Sequence, residues 1–211
     1  MQIWTYDFDH MNTVLLPSAL HTLLPEDVHE ACAGHLFRKG QCLFKAGQRP
    51  QWMYYVVVGE VLLERPGIHG DRVVLQRTRQ GFVSEASLRT TAYHCDAVAV
   101  VETQVIQIPA QALRSAMDTD AGFASRWITM LNTEVRRLRL NVERLSMKSV
   151  KDRVLHLIDT EGENGTYVAA TGLKSLAAEL GVTHEALYRT LSALEKQNIL
   201  QRKNGTITVA R

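Results

Sequence analysis

The stretch GVTHEALYRTLSALEKQ, residues 181–197, decides the fold of the C-terminal part of the chain. Its apolar residues recur at helical spacing, and polar residues fill the opposite side. The apolar side consists of Leu187, Leu191 and Leu194. The polar side consists of His184, Glu185, Tyr188 and Arg189. A helix with this pattern buries one side in its own domain and offers the other side to a partner.

The sequence around this helix predicts a second helix and a hairpin. Gly181-Val182-Thr183 forms a tight turn between the preceding helix LKSLAAEL and the quoted one. After it, Asn204-Gly205 separates Ile199–Lys203 from Thr206–Val209, and Asn-Gly is the favoured pair of a type I′ hairpin turn. Two helices joined by a glycine-containing turn and followed by a hairpin form a winged helix-turn-helix.

The polar side of the second helix then has a natural partner in double-stranded DNA, whose major groove admits one helix. Glu185 and Arg189 lie four residues apart on one face, where arginine can recognise guanine and glutamate can accept from the cytosine amino group. The same spacing also suits an intrahelical salt bridge, but the helix-turn-helix context favours base contacts. The predicted DNA-binding residues are Thr183, His184, Glu185, Tyr188 and Arg189, with phosphate contacts from Lys174, Arg202 and Lys203.

Upstream of this domain, after Pro109, apolar residues follow a heptad. Branched residues at a with leucine at d favour two parallel helices. These positions are Ile128, Leu131, Val135, Leu138, Val142 and Leu145. The sequence therefore predicts a homodimer with this helix at the interface. The alternative is an amphipathic helix packed on its own domain, because its apolar positions would look much the same over so few heptads.

From about residue 35 to 109, short β-branched or apolar runs alternate with turn residues, which predicts antiparallel strands in a roll or barrel. A capping box formed by Ser149 and Asp152 predicts a new helix after the dimer helix. The expected fold is α+β, with an antiparallel, jelly-roll-like β-roll sensor domain, a long dimerisation helix and a winged helix-turn-helix. The expected domains are residues 1–109, 110–148 and 149–211.

Composition narrows the function classes. Of the 211 residues, 45% are hydrophobic and 22% are charged, which is typical of a globular protein. The net charge of +2 is too small to indicate nucleic-acid binding by itself. Neither a signal peptide nor a membrane-spanning run is recognisable, so a cytoplasmic protein without membrane contact is expected. Three cysteines without a C-x-x-C pair define no disulfide framework or metal site. Since no nucleophile, base and orienting residue converge, an enzyme is not expected.

Three segments carry a resemblance to a known family. They are FRKGQCLFKAGQRPQWMYYVVVGEVLL in the roll, VKDRVLHLI at the hinge and LAAELGVTHEALYRTLSALEKQNIL in the helix-turn-helix. With these segments, the chain resembles the CRP/FNR family of bacterial transcription regulators over nearly its whole length. The resemblance implies a homodimer on a near-palindromic operator with TGA-type half-sites, with Glu185 and Arg189 at the base-reading positions. RNA polymerase would be a further partner of an activator.

The effector pocket departs from the cyclic-AMP-binding members of that family. The phosphate cassette aligns with Ser84-Glu85-Ala86-Ser87, and the positions of the phosphate-binding arginine and its neighbour hold Cys95 and Asp96. A thiol and a carboxylate would not attract a phosphodiester. We therefore expect no cofactor and no control by cyclic AMP, with Glu85, Ser87, Cys95 and Asp96 as the residues of the pocket.

An alternative interpretation remains for sensing. The protein would then be a ligand-binding or redox-responsive signalling module, with a thiol or haem at His94-Cys95 and DNA binding that depends on an unknown effector. A surface histidine beside a half-buried thiol explains the same pair, because one His-Cys pair does not define a metal site.

Overall fold

A computed structural model of the chain describes residues 15–68, 72–169 and 172–210, so the first fourteen residues of the predicted sensor domain lie outside the described part. The chain divides into two compact units, Met1–Thr129 and Met130–Arg211. This division falls inside the long helix, and the three predicted domains stay a prediction. Within the described ranges, no helix combines the length and the apolar character that crossing a bilayer requires.

The first unit contains two four-stranded sheets in which every paired strand is antiparallel. One sheet has the order β1 (Ala33–Phe37), β8 (Thr103–Pro109), β3 (Trp52–Val58) and β6 (Gly81–Phe82). The other has the order β2 (Cys42–Phe44), β7 (Asp96–Ala99), β4 (Val61–Pro66) and β5 (Arg72–Thr78). The short runs predicted from about residue 35 to 109 supply strands to these sheets, and the expected antiparallel β-roll is confirmed.

The core of the roll lies between the inward faces of the two sheets, because successive residues of a strand point to opposite faces. Val56 and Val105 from the first sheet and Val61 and Ala97 from the second have no exposed surface. The Phe44 and Tyr93 rings stack in the same cluster, with their centroids 3.8 Å apart. These contacts hold the roll together by burying apolar surface from both sheets.

Four short helical segments and the first part of a long helix complete the first unit. The segments are α1 (Ser18–Leu23), α2 (Glu26–His29), a 3₁₀ helix (Glu85–Ser87) and α3 (Ala110–Thr119). The long helix α4 (Ala121–Ser146) begins after a break at Asp120, whose backbone is extended and whose Oδ1 accepts a hydrogen bond from the Phe123 N–H at 3.0 Å. The region predicted as dimer helix and hinge therefore contains two helices, separated by an aspartate cap.

The second unit continues α4 and adds a small three-stranded sheet and three helices. Its elements are α5 (Val150–Glu161), β9 (Thr166–Val168), α6 (Leu173–Glu179), α7 (His184–Lys196), β10 (Leu200–Lys203) and β11 (Thr206–Val209). The predicted capping box is present, since Ser149 Oγ accepts from the Asp152 N–H at 3.0 Å. Asn204 and Gly205 both have positive φ, as a type I′ turn between β10 and β11 requires.

The predicted apolar side of α7 forms the centre of this unit. Leu187, Leu191 and Leu194 are buried together with Leu157 of α5 and Leu176 of α6. The hairpin contributes Leu200 and Ile207 to the same core. The winged helix-turn-helix predicted from the sequence is thus confirmed, with α6 and α7 as its two helices and β10–β11 as its wing.

Candidate nucleic-acid interface

The turn between α6 and α7 depends on a glycine. Gly181 has φ of +64°, and a Cβ built on it would lie 2.8 Å from Leu145 Cδ2, so a side chain would be both strained and crowded. Thr183 then caps α7, because its hydroxyl accepts a hydrogen bond from the Ala186 N–H at 3.1 Å. These two residues fix where α7 begins and hence which of its side chains face outward.

The outward side of α7 carries the predicted base-reading residues. His184, Glu185, Tyr188 and Arg189 are all exposed, whereas the next residue on the inner side, Leu187, is fully buried. Among the described residues, Glu185 and Arg189 form no ion pair within 4.0 Å, so the intrahelical salt bridge that the spacing allowed is not formed. Both charged groups are available to an external partner.

Glu185 is held in its ionised form at the start of α7. Its carboxylate accepts hydrogen bonds from its own backbone N–H and from the Thr183 hydroxyl, and both bonds lower the pKa of the carboxyl group. His184 and Arg189 lower this pKa further by their charges. An ionised carboxylate only accepts hydrogen bonds, which suits a cytosine amino group and disfavours a base edge that offers only acceptors.

The predicted phosphate contacts have different surroundings. Lys174 at the start of α6 and Lys203 at the tip of the wing are exposed. Arg202 is partly buried, and its guanidinium forms an ion pair with Glu195 and a hydrogen bond to Ser192 Oγ at 3.2 Å. Within the described ranges neither Lys174 nor Lys203 forms an ion pair, while Arg202 is occupied by α7 of its own domain.

Two arginines whose contacts sequence reasoning did not identify join the end of α4 to the winged helix. Arg144 on α4 is 1% exposed, forms an ion pair with Glu161 at the end of α5 and donates to Thr160 Oγ1 at 3.3 Å. Arg153 on α5 donates to the carbonyl oxygens of Leu180, Met147 and Leu145 at 2.8, 3.0 and 3.3 Å. Arg153 lies within the hinge segment VKDRVLHLI, but no spacing in the sequence indicates its carbonyl partners.

The predicted dimer residues lie along one side of α4. Ile128, Val135, Leu138, Val142 and Leu145 are exposed in the single chain, and Leu131 is partly exposed. Val142 is the most open of them, with 69% of its surface accessible. A helix packed on its own domain would bury this strip, so the alternative of an intramolecular amphipathic helix has no support over these positions.

The predicted effector residues do not form one open pocket. Cys95 is 1% exposed and belongs to the core of the roll, and Ser87 is buried as well. The Asp96 carboxylate accepts a hydrogen bond from the Ala46 N–H at 2.8 Å and lies 3.7 Å from Arg72 Nη1. A cavity of about 390 Å³ in the first unit lies elsewhere, between the β2–β3 loop and the Tyr93 side chain.

Burial also determines the chemistry of Cys95. It raises the pKa of the thiol, and the nearby Asp96 and Glu85 carboxylates raise it further against the opposing charge of Arg65. His94 is exposed, so the two neighbours point to opposite sides of the chain. A protonated, buried thiol is a weak nucleophile. Because the His94 side chain points outward and that of Cys95 inward, the two residues are poorly placed to bind one metal ion.

Comparison with known proteins agrees with this architecture. The cyclic nucleotide-binding domain family matches residues 35–120. The cyclic AMP receptor protein of Thermus thermophilus is 25% identical over 195 residues, which cover 90% of each chain. FixK2 from Bradyrhizobium japonicum is 22% identical with a TM-score of 0.61, over 85% of this chain and 93% of that one. TTHB099, a CRP-family transcriptional regulator from Thermus thermophilus, is 16% identical with a TM-score of 0.52, over 84% and 92%.

A cyclic nucleotide-binding fold followed by a long helix and a winged helix-turn-helix defines a class of proteins, the transcription regulators that join a sensor-type β-roll to a DNA-binding domain. Within this class, the cyclic AMP receptor protein is similar to the chain over 90% of the length of both proteins. The chain is thus similar to CRP-type transcription regulators, with a match to the cyclic nucleotide-binding domain family at residues 35–120.

Proposed function

We propose that this chain acts as a homodimer that binds a near-palindromic operator with TGA-type half-sites, and that it does so without control by cyclic AMP. The observation that carries the proposal is the outward side of α7, where Glu185, Tyr188 and Arg189 are exposed on a helix whose other side is buried. RNA polymerase would be a partner if the protein activates transcription, and no catalytic activity is assigned to the chain.

Sequence-specific binding follows from the groups on α7. Arg189 can donate two hydrogen bonds to guanine, and the ionised Glu185 can accept from a cytosine amino group one helical turn away. Lys174 and Lys203 would neutralise phosphates on either side and fix the orientation of the domain. A protein that only sensed a ligand would have no use for this arrangement of unpaired charges.

The apolar strip on α4 supports the homodimer. Its a and d side chains stay exposed in the single chain except for Leu131, which is partly exposed. Val135, Leu138 and Val142 line a shallow apolar depression together with the stems of Arg139 and Glu143. A second copy of the same helix would cover this surface by knobs-into-holes packing. Dimerisation would also supply the second recognition helix, about 34 Å or one turn of DNA away from the first.

Independence from cyclic AMP is supported by what surrounds the predicted phosphate position. Cys95 offers a buried thiol, and Asp96 adds a negative charge that is already bound to Arg72 and to the Ala46 N–H. A cyclic phosphate needs charge-assisted hydrogen bonds from a cation in this place. Isothermal titration calorimetry should detect no binding of cyclic AMP, and a micromolar dissociation constant would overturn this part of the proposal.

A second candidate is a regulator whose DNA binding requires an effector. The similarity of residues 35–120 to the cyclic nucleotide-binding family, and the name of the cyclic AMP receptor protein, favour it. The thiol form of this candidate has less support, because Cys95 is buried with a raised pKa. An effector would act by shifting the equilibrium between dimer arrangements that do and do not present the α7 helices at the operator spacing.

Selection from a pool of randomised duplexes tests the proposed function. The ligand-free wild-type chain should enrich an inverted repeat whose half-site centres lie one helical turn apart. The Glu185→Ala/Arg189→Ala variant, changed only at exposed positions, should bind DNA non-specifically and enrich no motif. Wild-type chain that enriches no motif would contradict the proposal, while enrichment only after an effector is added would favour the second candidate.

A further inference from the structure

Tyr188 leaves a large apolar ring on the outward side of α7. The side chain is 53% exposed, although its neighbour Leu187 and the residue one turn on, Leu191, are buried. It lies next to Arg189 in sequence and one turn after His184 and Glu185 on the helix face. More than half of this side chain stays exposed among charged groups, so burial in the core of the winged helix does not account for the tyrosine.

The ring of Tyr188 is nevertheless held in place. The Arg202 guanidinium carbon of β10 lies 5.1 Å from the ring centroid, over one face, in a cation–π contact. The imidazole of His184 lies on the same helix face, with its centroid 6.4 Å from that of Tyr188. Arg202 of the wing thus lies over one face of the ring, while about half of the side chain stays exposed.

Arg202 is itself fixed by the end of α7. Glu195 receives its guanidinium in an ion pair and also accepts from its backbone N–H at 3.1 Å, and Ser192 Oγ accepts from Nη2 at 3.2 Å. The hydrogen bond to Glu195 is the largest cause of a raised pKa of Arg202, and Tyr188 is a smaller cause. The guanidinium thus has its position set within the domain, in contrast to the exposed ammonium of Lys203 beside it.

An apolar ring on this surface can recognise one feature of the major groove. Among the groups that base pairs present there, the C5 methyl of thymine is the apolar one. A freely rotating tyrosine would lose side-chain entropy on binding, whereas a ring already packed against a guanidinium loses less. The arrangement Tyr188–Arg202–Glu195 therefore places a pre-oriented apolar surface beside the guanine-binding Arg189.

We propose that Tyr188 contacts the methyl group of a thymine in the half-site, and that Arg202 is a positioning residue that holds the ring and does not contact a phosphate. This inference rests on the proposed operator binding and adds a base preference that neither Glu185 nor Arg189 provides. Replacement of Arg202 should consequently alter sequence preference, and replacement of Lys203 should not.

Duplexes in which each thymine of the selected half-site is replaced in turn by deoxyuridine, which lacks the methyl group, test the inference. The wild-type chain should lose about fourfold in affinity at one position, as expected for one buried methyl group. Tyr188→Ala should bind the thymine and deoxyuridine duplexes equally at that position. Tyr188→Phe should keep the wild-type discrimination, because the contact needs the ring and not the hydroxyl.

Two further variants separate positioning from phosphate binding. Arg202→Met removes the cation–π contact and should reduce the discrimination of thymine from deoxyuridine, while Arg202→Lys should restore part of it. The matched control is Lys203→Ala, which should weaken binding to every duplex alike and reduce the salt dependence of the affinity. Circular dichroism of each variant checks that the winged helix remains folded.

The outcomes distinguish this inference from the proposed function. If the wild-type chain selects an operator but shows no sensitivity to deoxyuridine, the role of Tyr188 is overturned and the operator binding stands. The same holds if Tyr188→Ala keeps the sensitivity, or if Tyr188→Phe loses as much affinity for the unmodified operator as Tyr188→Ala, since the hydroxyl would then make the contact. If the wild-type chain selects no sequence, the proposed function itself fails.

Discussion

The Arg153 guanidinium on α5 donates a hydrogen bond to the carbonyl oxygen of Leu180 at the end of α6, with 2.8 Å between Nη1 and the oxygen. The same side chain donates to the carbonyls of Met147 and Leu145 where α4 ends. One arginine therefore satisfies carbonyl groups of both the long helix and the helix-turn-helix. In the proposed dimer, this contact would fix the orientation of the helix-turn-helix, and hence of α7, relative to the end of α4.

Replacing Arg153 should weaken the connection between the end of α4 and the helix-turn-helix. Hydrogen bonds from a charged donor contribute about 1.5–3 kcal/mol each when buried, and partial exposure reduces their effect here. Arg153→Leu should lower the free energy of unfolding by about 2 kcal/mol and weaken operator binding. Arg153→Lys, which keeps the charge but can reach fewer carbonyls, should be intermediate. Denaturant unfolding and fluorescence anisotropy measure the two effects, and an unchanged operator affinity would exclude a role in orienting α7.

The buried ion pair between Arg144 and Glu161 should respond asymmetrically to mutation. Arg144 is 1% exposed and Glu161 is about a quarter exposed, so the arginine charge is the harder one to leave unpaired. Glu161→Gln should cost up to about 3 kcal/mol, and Arg144→Met should cost less because the remaining carboxylate can hydrate. The double variant should recover much of the loss caused by Glu161→Gln.

Far-ultraviolet circular dichroism is the suitable measurement for this pair. All three tryptophans precede residue 130, so their fluorescence reports on the first unit and not on the second. Equal destabilisation by Glu161→Gln and Arg144→Met would contradict the asymmetry.

The dimer interface is tested by a charge on the apolar strip of α4. Leu138→Asp should give a monomer in analytical ultracentrifugation, because a carboxylate at a d position would be buried against its own copy. The matched control is Thr133→Asp, which adds the same charge at an exposed position outside the strip. A Leu138→Asp protein that still sediments as a dimer would place the interface elsewhere.

Base contacts and phosphate contacts should have different effects on DNA binding when their residues are replaced. Arg189→Ala should cost about 1–3 kcal/mol on the operator and relax the preference at one guanine. Lys174→Ala should lower the affinity for operator and scrambled duplexes together and reduce the slope of affinity against salt. Anisotropy titrations at several salt concentrations measure both, and an unchanged base preference in Arg189→Ala would remove that residue from the site.

Alkaline pH should destabilise the β-roll through Tyr93. Burial raises the pKa of Tyr93 from an ordinary value of 10.0 to about 12, so the folded state binds the proton more tightly than the unfolded state. Its contribution to stability is fully present below pH 10 and is lost as the pH rises toward 12. Tryptophan-monitored unfolding should show this loss, and Tyr93→Phe should flatten it relative to the exposed control Tyr188→Phe. A similar alkaline loss in Tyr93→Phe would assign the effect to other groups.

Several elements were predictable because local chemistry fixes them. The positive φ of Asn204 and Gly205, the Ser149 cap and the exposed polar side of α7 all follow from residue type and spacing within a few positions. The heptad likewise identified the exposed strip on α4 without knowledge of its surroundings.

Contacts between distant residues could not be obtained in this way. The carbonyl partner of Arg153 lies 27 residues away, and Arg202 was predicted as a phosphate contact because its ion pair with Glu195 exists only once the hairpin folds against α7. In the roll, the alternation of side chains along β7 and the residues before it turns Cys95 into the core. An alignment of the effector positions does not reveal that Cys95 and Asp96 have structural partners.

Operator binding by the ligand-free wild-type chain is best tested by fluorescence anisotropy on a labelled palindrome with TGA-type half-sites. A scrambled duplex of the same composition and the Glu185→Ala/Arg189→Ala variant serve as controls, and the salt concentration is varied. We expect the wild-type chain to bind the palindrome more tightly than the scrambled duplex by at least about tenfold, and the variant to bind both duplexes alike. Equal affinity of the wild-type chain for the two duplexes at every salt concentration would contradict this expectation.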